Sequence, residues 1–96
     1  MADKLYSVNI RWVKTPMKTT ELEPIFNLIG DWIRYNGFTW FVSTSRTADE
    51  IYEALKTQIT TEDSIVIMLT DPKDRSGWVT TWIVEWLIKQ AAKSPS

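Results

Sequence analysis

The 96-residue chain has no cysteine and no histidine. Without cysteine there is no disulfide framework, no thiolate nucleophile and no zinc–sulfur site. Without histidine the usual general base near neutral pH is missing, and with it the serine triads and histidine-rich metal sites of many small enzymes. A magnesium ion held by carboxylates needs only oxygen ligands and survives both absences. No window approaches the roughly 18 consecutive apolar residues of a membrane span. The opening MADKLYSV lacks the basic, then apolar, then small-residue order of a signal peptide, so a cytoplasmic protein with no membrane partner is expected. A net charge of −1 argues against a strongly basic nucleic-acid binder. Any such binding would be weak and strongly salt-dependent. No cofactor is expected.

What is present is aromatic and apolar patterning, with hydrophobic residues at 44% of the chain. Leu5 to Val13 alternates: Tyr6, Val8, Ile10 and Trp12 point one way, and Ser7, Asn9 and Arg11 the other, which reads as a half-buried strand. Arg11, Lys14 and Lys18 then form a short basic run whose ordinary reading is a solvated loop. Thr20 with Glu23 looks like a capping box, and Pro24 suits a first helical turn. Leu22, Phe26 and Ile29 follow at helical spacing, and Gly30 closes the helix. Asn36-Gly37 predicts a two-residue type I′ hairpin. That turn would set Tyr35 against Phe38, Arg34 against Thr39, Ile33 against Trp40 and Trp32 against Phe41. Thr47 with Glu50 is a second capping box, followed by Ile51, Leu55 and Ile59. Ser64 to Asp71 is a near-continuous apolar run and reads as a central strand covered on both faces. A final helix is expected over about residues 79–92, with Trp78, Trp82 and Trp86 one turn apart.

These elements predict one α+β domain over residues 1–93: a ferredoxin-like β-α-β-β-α-β antiparallel sheet with an additional C-terminal helix. Residues 94–96 read as a mobile tail.

The stretch WIRYNGFTWFVSTSRTADEIYEAL resembles the W-x-H-Y-x-x-S-T-W-[IV]-V-x-T pattern of a family of small bacterial proteins called SinR-like. Trp32, Tyr35, Thr39, Trp40, Val42 and Thr44 match; Arg34 and Phe38 stand where that family usually has His and Ser. Downstream, Asp63, Gly77, Trp78, Trp86 and Leu87 resemble the family's ending. The family is similar in fold to the small CRISPR-associated adaptation protein, often described as a metal-dependent nuclease, and to the virulence-associated protein D ribonucleases. The resemblance implies a ferredoxin-like homodimer. In the CRISPR-associated relatives an Asp ends the first strand and is the proposed metal ligand. Here the strand ends NIRWVK, with Arg11 or Trp12 at that place. An arginine repels a magnesium ion, so the nuclease is weakened while the fold and the dimer stand.

On this reading the helix-free face of the sheet shows Asn9 and Arg11, Trp32 and Arg34, Phe41 and Ser43, with Val66 and Met68 or their alternates. It is too apolar to be left in water. A second copy of the chain, the terminal helix with Trp78, Trp82 and Trp86, or nucleic acid stacked on Trp32 and Phe41 could cover it. Asp63, Asp71 and Asp74 flank the fourth strand as weak candidates for a catalytic metal site, although Asp-Pro and Asp-Arg-Ser-Gly are ordinary turn sequences. No metal site is assigned. The expected function is a small homodimeric assembly or regulatory protein, non-catalytic, with an unidentified protein partner or a nucleic-acid or defence system beside it. A metal-dependent endoribonuclease is the alternative.

Overall fold

The computed structural model describes residues 3–13 and 19–93. Lys14 and Lys18 of the basic run, and the tail at 94–96, lie outside the described residues. Four strands, β1 (Lys4–Arg11), β2 (Asp31–Arg34), β3 (Thr39–Thr44) and β4 (Ser64–Thr70), form one antiparallel sheet in the order β2-β3-β1-β4. Three helices complete the α+β fold: α1 (Thr19–Ile29), α2 (Ala48–Leu55) and α3 (Thr81–Lys93). No described helix is long and apolar enough to cross a membrane.

The alternation in β1 does what its period demands. Tyr6, Val8 and Ile10 are buried with Trp40 and Val42 of β3 under Leu22, Phe26 and Ile29 of α1 and Ile51 and Leu55 of α2. Helix α1 starts before the expected capping box, so Thr20 lies within it and its hydroxyl donates to the Glu21 carboxylate at 3.0 Å. Pro24 therefore lies past the first turn. It is tolerated because the Thr20 carbonyl that loses its donor is on an exposed residue. Gly30 alone joins α1 to β2, and a Cβ there would collide with the Ser43 carbonyl. The second capping box forms as read: the Thr47 amide donates to Glu50 Oε1 at 3.0 Å, and the Glu50 amide donates to Thr47 Oγ1 at 3.2 Å.

Two further expectations are overturned. The hairpin register is one residue away from the predicted one. Ile33 opposes Phe41 and Arg34 opposes Trp40, and the Tyr35 amide bonds the Thr39 carbonyl, leaving Asn36–Phe38 as a three-residue connection beyond that closing bond. Asn36 does not take the positive φ of a type I′ turn. Its side-chain oxygen instead accepts the Phe38 amide at 2.8 Å, while the Tyr35 and Asn36 amides both donate to the Thr39 carbonyl. A slip of one residue turns a strand over. Trp32 and Arg34 consequently lie on the α1/α2 side of the sheet, and Ile33 and Tyr35 lie on the other.

The second correction concerns β4. Among the described residues the apolar run is an edge strand, paired with β1 alone, and Val66, Met68 and Leu69 are exposed at 52%, 57% and 63%. Continuous apolarity without a neighbour on the far side gives an open edge rather than a buried strand.

Replacing Gly30 with alanine is expected to destabilise the chain by about 1–3 kcal/mol through overpacking against backbone, read as a lower urea midpoint. Glu50 titrates below its ordinary value of 4.5, first because its carboxylate accepts the Thr47 backbone amide and then because of the Thr47 hydroxyl. A folded-state pKa below the unfolded one makes a contribution that is present above the unfolded value and lost as pH falls through the folded one. Glu50→Gln is therefore expected to narrow its stability gap to the wild type as pH drops below about 4.5, measured by unfolding across that window.

Candidate functional site

The face of the sheet turned away from α1 and α2 is divided in two. Helix α3 covers the β2 side. Ile83, Val84 and Leu87 share a cleft with Tyr35 and Phe41, and further along the helix Gln90 Nε2 donates to Asp31 Oδ2 at 3.4 Å. Lys93 stands 3.7 Å from Asp3. Beneath this cover Leu5, Ile33, Ser43 and Ile83 are buried. The terminal helix thus packs on its own chain.

The described residues leave the β1–β4 side open, and it carries the first group of sequence candidates. Asn9 is the knot of this half. Its amide nitrogen donates to Ser7 Oγ at 3.2 Å and to the Val66 carbonyl at 3.5 Å, and its oxygen accepts from Thr39 Oγ1 at 3.0 Å. Those bonds span β3, β1 and β4 and occupy the side chain in holding the strands. Arg11 is exposed and lines a recess of 610 Å³ with Asn9, Trp12, Phe38 and Val66. Phe41 is half-buried, its ring 5.7 Å from that of Tyr35.

Trp32 and Arg34 do not join them. Trp32 stacks on Phe26 with centroids 5.6 Å apart and donates its indole N–H to Asn27 Oδ1 at 2.8 Å. Arg34 Nε donates to the Asn36 carbonyl at 3.1 Å, across the turn. The structure therefore separates the five face residues into Asn9, Arg11 and Phe41 on one side and Trp32 and Arg34 on the other.

Three carboxylates were candidates for a metal. Asp63 accepts the Val13 amide at 2.7 Å and the Thr60 amide and hydroxyl at 3.1 and 2.9 Å, closing the turn before β4 onto the end of β1. Asp71 accepts the Lys73 amide at 2.9 Å, and the Asp74 amide donates to the Asp71 carbonyl, both as turn bonds. Asp63 precedes β4 and the other two follow it, so the strand holds them apart. Among the described residues no group of three His, Cys, Asp or Glu gathers.

The tryptophans of the C-terminal segment have three fates. Trp78 precedes α3 and is 93% exposed, Trp82 is 54% exposed, and Trp86 turns inward. Two residues that the sequence did not mark as site candidates, Tyr35 and Arg75, line the α3 cleft. Arg75 stood in a stretch with turn composition, and only the fold brings it to an aromatic wall.

Comparisons with protein families, curated proteins and solved structures give no match to this chain.

Substituting Asp63 with alanine strips two backbone amides and a hydroxyl of their acceptor. A loss of about 1–2 kcal/mol in chemical denaturation is expected, with no change on adding magnesium or a chelator.

Proposed function

We propose that the protein is a small, non-catalytic assembly or regulatory module that works as a homodimer, joined through the free edge of β4. The observation that carries this reading is the edge itself. From Ser64 to Thr70 it has no charge, no proline and three exposed apolar side chains. Edges left open in this way favour pairing with another strand. Antiparallel pairing of two copies about Ile67 sets Val66 against the copy's Met68 and Ser64 against its Thr70. Apolar residues then meet apolar ones on both faces, and the ladder meets no charge until Asp63 faces Asp71 at each rim, a repulsion that salt screens.

The finer fold assignment belongs to the same proposal. The chain order of strands and helices and the sheet order β2-β3-β1-β4 support a ferredoxin-like arrangement with an added C-terminal helix. The resemblance to SinR-like proteins supports the dimer and suggests a place beside a nucleic-acid or defence system in the cytoplasm. The endoribonuclease alternative draws little support from Asp63 and Asp71, which β4 holds apart and whose carboxylates accept turn hydrogen bonds.

Size-exclusion chromatography with light scattering tests the reading. The wild type is expected at twice its 11.2 kDa chain mass. Val66→Lys with Met68→Lys, placed where both side chains are exposed, is expected to give folded monomer. A wild-type monomer, or a dimer indifferent to the two lysines, would refute the pairing.

A further inference from the structure

The geometry points to a second site, over the β2 half of the same sheet face: a small-molecule pocket for a planar aromatic anion in the cleft between α3 and the β2–β3 hairpin. The cleft is open to solvent along one side and has a volume of 640 Å³, within the roughly 300–1,000 Å³ typical of small-molecule sites. Tyr35, Phe41 and Trp78 supply its aromatic surface, and Val79, Ile83 and Leu87 its aliphatic floor. Trp78 is 93% exposed and Tyr35 44% exposed. Each offers a broad apolar ring that the chain itself leaves uncovered, the arrangement that a flat ring system can stack against.

The charge of the ligand follows from the lining. Among the described residues that line it, Arg75 is the one charged side chain and none is a carboxylate. Arg75 spends one donor on the Pro72 carbonyl, with Nη1 at 2.7 Å, which holds the guanidinium in place and leaves its other N–H groups for a ligand oxygen. Helix α3 begins beside the same cleft and has no acid in its first turn, so its positive end adds to the field of Arg75. Gly77, at φ 118°, makes the bend between Arg75 and Trp78 and has nothing within 4 Å of where a side chain would stand. That bend lets the cation and the indole share one cavity.

The test pairs an aryl anion with its neutral analogue. Naphthalene-2-sulfonate and naphthalene-2-methanol are titrated into the full chain by calorimetry. The sulfonate is expected to bind about tenfold more tightly, the worth of a charge-assisted hydrogen bond. Arg75→Gln should abolish that preference while leaving the alcohol unchanged, and Trp78→Ala should weaken both. Both side chains are exposed, so the melting temperatures of the variants should match the wild type. Adenosine 5′-monophosphate and indole-3-carboxylate, run in parallel, tell a nucleotide from a simple aryl acid. Absence of sulfonate binding, equal affinity for sulfonate and alcohol, or a preference that survives Arg75→Gln would overturn the site.

Discussion

The packing of Phe26 between two tryptophans sets the terms for the rest of the molecule. Its ring is fully buried, 5.6 Å from Trp32 and 5.6 Å from Trp40, and Trp12 meets Trp40 edge-on at 6.0 Å. Aromatic contacts of this kind contribute roughly 0.5–1.5 kcal/mol each beyond the area they bury. More important is what they force. Phe26 stands on α1, Trp32 on β2 and Trp40 on β3, so one side chain fixes the helix to both arms of the hairpin. Trp32 can reach Phe26 only if β2 turns that side chain toward the helices. A two-residue turn would have placed Trp32 opposite Phe41, on the far side of the sheet. The aromatic contact outweighs the local preference of Asn-Gly, and the hairpin takes a three-residue connection.

That choice explains where the sequence was legible and where it was not. The strand alternation of β1, the spacing of Leu22, Phe26 and Ile29, and the Thr47–Glu50 capping box are local signals answered by local structure. So is the existence of each strand and helix. Register is different, because it depends on which side chain meets which across tens of residues. The position of Ser64–Thr70 in the sheet is likewise invisible to composition: an apolar run looks the same at an edge as in the middle. The candidate face was half legible for the same reason. Asn9, Arg11 and Phe41 lie on strands whose phase the pattern fixed correctly, whereas Trp32 and Arg34 follow the mistaken turn. Arg75 carried no signal at all, since its meaning comes from neighbours that chain order does not reveal.

Helix α3 divides the open face into regions of different character. Over β2 and β3 it turns a flat apolar surface into a walled cleft with one cation. Beyond it, β1 and β4 keep a flat surface and an unpaired edge. A cleft of aromatic rings suits a small rigid molecule, whereas an uncharged edge suits a strand. The two proposed roles therefore occupy separate parts of the chain and use separate residues.

The central place of β1 also governs the order in which the molecule can assemble. The earliest strand in chain order lies between β3 and β4, with Leu5 paired on one side to Ser43 and on the other to Thr70. Only the β2–β3 hairpin closes over a short loop; the two seams along β1 close over long ones. Long-range pairing of this kind slows folding, because the entropy of closing the loop is lost before the contacts repay it. Until Thr70 arrives, one flank of β1 has no partner, and the chain passes through a stage in which its most apolar strands can pair with a neighbour's as readily as with its own.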